Sequence, residues 1–392
     1  MHIAYWHRKF PINVSDKNQD VAMALLLCCW AIALFVSGHA AAAEKTDRPL
    51  EPIIVDAKHS GFMTEQSRRP FHPWGMNYGN GGRLMEDFWD SDWKTFADDF
   101  SEMRALGANV VRVHLQFGKF MLAADQPNPT ALKQLSRMLR LAEETGLYLD
   151  ITGLASYRPS DSPAWYDAME ESARWTSQAE FWSHVARTCA GSRAVFCYDL
   201  MNEPISPATK REPGKWRSGN LFGGYDFVQF IALDPAGRKR EDIAVAWIRK
   251  MTAAIRRHDP RHPITVGLLP WSQKWKFLSG FLPDKIAPEL DFLSVHIYPD
   301  KDLPDEAMEC LRKFSVGKPV VIEETFPLSC GTDQLRQFLL ESRSIACGWI
   351  GHYDGETWNG SGSGHEEKLT AAQSIYRDWQ RISIELKPVL AP

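Results

Sequence analysis

The chain has 392 residues, of which 44% are hydrophobic and 24% charged, and its formal net charge at pH 7 is −4. This length suits one large domain or two small ones, and it is sufficient to bury a sizeable core. Acidic and basic residues are nearly balanced and no basic block occurs, so the composition argues against a nucleic-acid partner.

An apolar run, VAMALLLCCWAIALFVS, occupies residues 21–37. Basic residues precede this run and a string of alanines follows it, which is the order typical of a secretory signal peptide. We therefore predict that residues 1–43 are a signal peptide and that residues 44–392 form one secreted or periplasmic catalytic domain. An uncleaved membrane anchor is the alternative, because the apolar run is slightly long. If the leader is cleaved, we expect no stable membrane contact.

Five cysteines lie beyond the leader, without CxxC spacing, so a zinc site is not expected. In an exported protein they predict one or two disulfides, whose pairing cannot be deduced from the spacing. These cysteines are Cys189, Cys197, Cys310, Cys330 and Cys347.

Eight short apolar segments alternate with amphipathic ones, which predicts parallel strands joined by right-handed helical crossovers. The fold class is therefore α/β, and the length fits a single (β/α)₈ TIM barrel. A doubly wound open sheet is the rival, but no Gly-x-Gly-x-x-Gly follows the first strand. The predicted strands are Phe71–Asn77, Asn109–His114, Tyr148–Thr152, Ala194–Met201, Ile264–Leu269, Phe292–His296, Pro319–Glu324 and Gly348–Tyr353.

Two further segments are placed relative to this barrel. Residues 50–70 are predicted to form an N-terminal hairpin over the barrel floor. Residues 205–240, rich in Gly, Pro and charged residues, are predicted to form a surface loop on the catalytic face.

Polar residues gather where the predicted strands end, which is the face of such a barrel that carries chemistry. Glu203 ends the fourth strand and Glu324 ends the seventh. Glycoside hydrolysis needs two such carboxyl groups, one protonated and one ionised. The other strand-end residues are Asn77, Arg112, His114, Asn202, Trp271, His296, Tyr298 and the stretch from His352 to Trp358.

Strand alternation chooses between the neighbours Glu323 and Glu324. Val320, Ile322 and Glu324 share one face of the seventh strand, and Glu323 lies on the other. If the first face lines the barrel, Glu324 is the inward carboxylate. Glu323 is then expected to face the helices or to support the site from behind.

The stretches LMNEP and PVVIEETF together resemble clan A of the glycoside hydrolases, and within it family 5, the cellulase–mannanase family. The resemblance covers most of residues 50–385. It implies hydrolysis of β-glycosidic bonds with retention, in a β-linked polysaccharide or oligosaccharide and without a cofactor or metal. Glu203 would be the acid/base and Glu324 the nucleophile.

The resemblance also implies substrate-binding or supporting roles for residues around this pair. Asn202 would bind the sugar 2-hydroxyl, and Trp358, with Trp349 as the alternative, would lie beneath the sugar. We add Trp271 as a candidate platform for sugar stacking. Three residues would support the carboxylates: Arg112 and Tyr298 at the nucleophile, and His296 beside the acid/base.

Two departures from the usual family 5 cellulase motifs bear on the choice of substrate. The third strand offers Thr152 where many cellulases have a histidine, and the doubled glutamate before Thr325 looks more like the mannanases. We therefore expect an endo-acting enzyme on β-1,4-linked mannan or glucan. The alternatives are an exo-β-glycosidase or transglycosylase, and a non-catalytic carbohydrate-binding barrel. A metal hydrolase is disfavoured because the first strand lacks His-x-His.

The leader gives a first prediction. The exported protein should begin within a few residues of Glu44, because the alanines before it suit a signal peptidase. Intact-mass analysis of the exported protein measures this directly. A mass that still includes Met1 would contradict it.

Overall fold

The computed structural model describes residues 49–58, 60–219, 223–357 and 369–392. The predicted signal peptide and Trp358 lie outside the described residues. Within those ranges, no helix has the length and apolar character needed to cross a bilayer.

Eight parallel strands form a closed barrel in chain order, and the last strand pairs with the first. This confirms the (β/α)₈ fold and rules out the doubly wound open sheet. Each predicted strand overlaps an observed one. The strands are β1 (Trp74–Gly79), β2 (Val110–Gln116), β3 (Tyr148–Ala155), β4 (Val195–Asn202), β5 (Ile264–Leu268), β6 (Leu293–His296), β7 (Val320–Glu324) and β8 (Gly348–Asp354).

A helix follows each strand and packs against the outside of the barrel. The helices are α1 (Trp93–Ala105), α2 (Pro129–Thr145), α3 (Glu171–Cys189), α4 (Arg240–Arg256), α5 (Pro283–Ile286), α6 (Glu306–Phe314), α7 (Thr332–Ser342) and α8 (Ala371–Leu390). Shorter helical turns are Met85–Asp87, Phe117–Phe120, Pro159–Asp161, Ala164–Asp167 and Ala287–Glu289, and two short strand pairs are Met121–Ala123 with Gln126–Pro127 and Pro204–Ile205 with Gln229–Phe230.

Helix α2 shows how local sequence sets these elements. The Asn128 side chain accepts a hydrogen bond from the Thr130 amide and caps the first turn, and Gly146 ends the helix with a left-handed φ of 71°. Between these caps, Leu135, Met138 and other apolar residues recur at helical spacing and are buried.

A three-stranded antiparallel sheet closes the bottom of the barrel. Its strands are Ile53–Val55, Phe62–Thr64 and Pro70–Phe71, so the predicted hairpin is present with one extra strand. The ring of Phe62 lies 5.0 Å from the rings of Phe196 and Phe292, which stand at the starts of β4 and β6. Because Phe71 pairs with this sheet, β1 begins at Trp74 rather than at Phe71.

The expected disulfides are not found among the cysteines that the structure describes. Cys189, Cys197, Cys310, Cys330 and Cys347 are all free, and four of them are buried. Free cysteines at such positions behave as small apolar side chains. The expectation was wrong because an export signal indicates a compartment and says nothing about which thiols meet.

Candidate active site

The barrel brings two glutamates and a histidine together at its C-terminal mouth. One carboxylate oxygen of Glu203, one of Glu324 and a ring nitrogen of His296 all lie within 4.8 Å of one another. The side chains of Glu203 and Glu324 are 15% and 13% exposed, whereas His296 is fully buried. The two carboxylates can therefore reach a bound molecule from a largely desolvated site.

Glu203 reaches the mouth through an unusual backbone conformation. Its φ is +47°, in the left-handed region that residues with a side chain rarely adopt. Its amide donates to the carbonyl of Gly267 on β5 at 2.8 Å, which holds the turn. Simple alternation would direct Asn202 and Glu203 to opposite faces, and this turn lets both enter the site. Such strain, typically about 1–3 kcal/mol, concentrates at functional positions.

Glu324 is held by two donors. Arg112 Nη1 donates to Oε1 at 2.6 Å and the Tyr298 hydroxyl donates to Oε2 at 2.6 Å. Burial alone would raise the pKa of Glu324, but the positive charges of His296 and Arg112 outweigh it and lower that pKa well below its usual range. The ionised form of Glu324 is therefore strongly favoured.

The position of Glu323 differs from the one that strand alternation predicted. Val321 packs inside the barrel with the floor residues, and Val320 and Ile322 belong to the core that contains the helix residues. Glu323 therefore points into the barrel, where its Oε2 lies 3.4 Å from Arg112 Nη2 and 3.3 Å from His296 Nε2. It supports the site from behind, as one of the two expectations had it, and does not face the helices. Glu324 enters the same site because the β6–β7 register shifts just before His296. The alternation rule fails at such an irregularity.

Arg112 binds residues from several strands at once and is fully buried. Its Nη1 also donates to Asn77 Oδ1 on β1 at 2.9 Å. Its Nη2 donates to Asp199 Oδ2 at 2.7 Å and to Asn202 Oδ1 at 3.0 Å, both on β4. The neighbouring carboxylates raise the pKa of Arg112 against the effect of burial, so it stays charged.

Asp199 was missed from the sequence. It is fully buried and also accepts a hydrogen bond from Thr152 Oγ1 at 2.7 Å. Thr152 therefore supports the carboxylate that binds Arg112. A charged residue inside the apolar strand of CYDLMNEP was the available signal, since a buried aspartate requires a partner.

His296 stands between the two glutamate motifs. Its Nδ1 lies 2.9 Å from Glu203 Oε1, and its Nε2 lies 3.3 Å from Glu323 Oε2. Burial would lower the pKa of His296, but the charge of Glu324 and the bonds to Glu203 and Glu323 raise it to about 10.

Outer residues complete the mouth. The Tyr298 hydroxyl also meets His352 Nε2 at 3.0 Å, and His114 Nδ1 meets the Tyr157 hydroxyl at 2.6 Å. Phe227, from the segment predicted to be a surface loop, packs on Tyr157 with ring centres 4.8 Å apart. This loop therefore covers one side of the site. Tyr157 and Phe227 carry no motif that the sequence could have revealed.

The predicted tryptophans are not all at the site. Trp271 is only 9% exposed, and the ammonium groups of Lys276 and Lys313 lie 5.1 and 5.3 Å from its ring centre. This placement favours packing over sugar stacking. Trp349 donates to Ser342 Oγ on α7 at 2.8 Å and so lies between barrel and helix. Trp358 lies outside the described residues.

Comparison with known proteins identifies the family. The family model described as Cellulase (glycosyl hydrolase family 5) matches residues 67–327, which include both glutamate motifs. The chain belongs to glycosyl hydrolase family 5. This confirms the resemblance that the two motifs carry.

Solved structures of family 5 proteins share the fold. The chain is similar to the exo-beta-1,4-mannosidase Op5Man5 from Opitutaceae bacterium strain TAV5, with 18% identity, a TM-score of 0.57, and coverage of 76% of this chain and 54% of that one. It is also similar to an endo-1,4-beta-mannanase from Eisenia fetida, with 16% identity, a TM-score of 0.55, and coverage of 84% and 94%. At these identities the likeness shows the fold.

A curated relative matches over a short stretch. Mannan endo-1,4-beta-mannosidase 2 from Arabidopsis thaliana is 36% identical over 84 residues, which covers 18% of this chain and 19% of that protein. The matched stretch thus spans about a fifth of the length of this relative.

A glycine on β5 makes room for the centre of the family 5 site. A Cβ atom at Gly267 would lie 2.7 Å from Arg112 Nη2, 2.8 Å from Glu323 Oε2 and 3.0 Å from His296 Nε2. Real Cβ contacts are essentially never shorter than 3.0 Å. All three neighbours are buried, so an added methyl group must displace them.

Gly267→Ala should therefore lower kcat for hydrolysis of a β-linked glycoside by about 10², since misplacing reacting groups by about 1 Å costs that much. Steady-state kinetics measures the loss, and thermal unfolding checks the fold. The matched control is Gly191→Ala, whose added methyl would meet open space. Equal kcat for the two variants would show that the packing at Gly267 does not matter.

Proposed function

We propose that the protein is an exported, retaining β-glycoside hydrolase that acts on β-1,4-linked mannan. The observation that carries this proposal is the pair of carboxylate oxygens of Glu203 and Glu324, within 4.8 Å of each other and held by different partners. Retaining enzymes hold their carboxyl groups about 5–5.5 Å apart, against about 6.5–9.5 Å in inverting ones. The leader pattern at residues 21–37 supports export.

The first chemical step uses both glutamates. The ionised Glu324 attacks the anomeric carbon while Glu203 gives its proton to the glycosidic oxygen, so the C–O bond breaks and a glycosyl ester forms on Glu324. In the second step Glu203 takes a proton from water. The resulting oxygen attacks the same carbon and releases Glu324 as a carboxylate.

The supporting contacts suit these roles. The positive charge of Arg112 keeps Glu324 ionised, and the hydrogen bonds from Arg112 and Tyr298 fix the direction of its two oxygens. The Asn202 side chain is fixed by Arg112 on its oxygen and donates one N–H to the Phe227 carbonyl at 3.0 Å. We assign its second N–H to the sugar 2-hydroxyl, where a bond that strengthens in the transition state lowers the barrier.

Mannan is proposed as the substrate on two grounds. The doubled glutamate of β7 is the feature by which the sequence resembles mannanases rather than cellulases. The names of the curated relative and of both solved structures refer to mannan or mannosides. Hydrolysis of β-mannan and manno-oligosaccharides, compared with glucan and xylan, tests this choice.

An exo-acting β-mannosidase is a second candidate. The Tyr225 hydroxyl donates to the Gly82 carbonyl, which links the segment after β4 to the segment after β1. A bridge between these segments narrows one side of the mouth and would favour chain ends. Release of single mannose units from mannohexaose would identify exo action, and a mixture of longer products would identify endo action.

The two glutamates should respond differently to removal. Glu324→Ala should abolish turnover because no ester can form. Glu203→Ala should lose about 10²–10⁴ in rate on unactivated substrates and spare aryl glycosides with good leaving groups, which need little protonation. Steady-state kinetics on both substrate types measures this.

Glu323→Gln is the matched control, since it changes the neighbouring carboxylate on the same strand. It should retain part of the turnover that Glu324→Ala abolishes, because Glu323 does not bond to the sugar in this mechanism. If Glu323→Gln were inactive while Glu324→Gln remained active, the nucleophile would be Glu323.

Retention has its own test. A β-linked manno-oligosaccharide should first yield the β-anomer, because two displacements at one carbon restore its configuration. Proton NMR within the first minutes, before mutarotation, distinguishes the anomers. An initial α-anomer would establish inversion.

A further inference from the structure

The doubled glutamate places one carboxylate where the proposed mechanism has not used it. Glu323 is fully buried, and its Oε2 lies 3.3 Å from His296 Nε2 and 3.4 Å from Arg112 Nη2. His296 in turn contacts Glu203 through its other nitrogen. Glu203, His296 and Glu323 thus form a chain that leads from the mouth into the barrel.

We propose that Glu323 is a positioning residue that holds the Nε2–H of His296, so that Nδ1 shares with Glu203 the proton delivered to the leaving oxygen. This inference rests on the proposed function. In this arrangement the two neighbouring glutamates have separate roles: Glu324 acts on the sugar directly, and Glu323 acts on Glu203 through the imidazole of His296. A carboxylate behind an imidazole fixes both its orientation and its tautomer.

The number of protons on Glu203 and His296 is the same before and after one turnover. With Nε2–H bound to Glu323, a single further proton lies between Nδ1 and Glu203. It passes through Glu203 to the leaving oxygen, which leaves a neutral His296 beside the Glu203 carboxylate. The water of the second step returns one proton to the same pair. Glu323 itself neither gains nor loses a proton.

The charges around His296 support this arrangement. Beneath it, the carboxyl groups of Asp150, Asp199 and Glu323 lie within 4.8 Å of one another. Burial and the charge of Glu323 raise the pKa of Asp150 well above its usual range, which favours its neutral form. Burial also acts to raise the pKa of Glu323, but Arg112 and His296 lower it, so Glu323 is the ionised partner. The groups that face or influence His296 are Arg112 and His114 on β2, Glu203 after β4, Glu323 and Glu324 on β7, and His352 on β8.

The test is NMR of the full chain labelled with ¹⁵N in its histidine rings, without substrate, with His296→Gln used to assign the resonances. In the wild type both His296 nitrogens should carry protons at pH 7, and the ring should lose one only well above the ordinary histidine range. Glu323→Gln keeps a hydrogen-bond acceptor for Nε2–H but removes the charge. It should lower the titration midpoint by about 1–3 pH units, the effect of an opposite charge at this distance.

The alkaline limb of kcat/KM should move in the same direction in Glu323→Gln, because the proton-bearing form of the pair is then lost at lower pH. Glu323→Asp, which keeps the charge, should restore part of the shift. Asp150→Asn is the control at equal depth, since its amide still offers a hydrogen-bond donor to the same carboxyl cluster and Asp150 favours its neutral form; it should leave the midpoint unchanged.

Three results would overturn the proposal. One is a midpoint in Glu323→Gln equal to that of the wild type, and another is an equal shift in Asp150→Asn. The third is a wild-type His296 that is neutral at pH 7 with its proton on Nδ1, a result that does not depend on whether Glu323→Gln or Asp150→Asn folds. None of these readings depends on turnover. Inactivity of the wild type on all glycosides would instead refute the proposed function.

Discussion

The buried guanidinium of Arg112 is the constraint on which the rest of the site depends. A buried cation costs several kcal/mol unless its partners compensate it. Here those partners come from two other strands, with Glu324 on β7 at 2.6 Å and Asp199 on β4 at 2.7 Å. The planar fork of arginine binds in fixed directions, so it sets where both carboxylates stand. Glu324, the proposed nucleophile, is placed by the same interaction that makes burial of the cation tolerable.

Two departures from ideal strands let this centre hold more functional groups than a regular barrel would allow. The left-handed φ of Glu203 brings Asn202, the last residue of β4, and Glu203, which follows it, into one site. The register shift before His296 does the same for the glutamate pair of β7. Both departures sit at C-terminal strand ends, where few hydrogen bonds remain to be disrupted. Regular strands below them supply the rigidity that keeps such strained groups in place.

The sequence predicts the strands and the glutamate pair because these depend on local patterns: apolar runs, capping residues and polar strand ends. It misplaces Glu323 because a period of two holds only where pairing is regular, and a register shift is set by the neighbouring strand. Asp199 escapes notice because its partner, Arg112, is 87 residues away. The low exposure of Trp271 could not be predicted either, because it is decided by side chains from other segments, here Lys276 and Lys313.

The different partners of the two carboxylates explain how one site could hold the anion and the proton carrier that the proposed mechanism needs. Arginine does not release its proton in proteins, so a carboxylate paired with it stays ionised. A histidine ring can give up and take back a proton, which an arginine cannot, so a carboxylate paired with it can alternate between its two forms. Glu324 has the first kind of partner and Glu203 the second. Two chemically identical side chains thus acquire opposite tasks from the residues behind them, and those residues meet at Glu323.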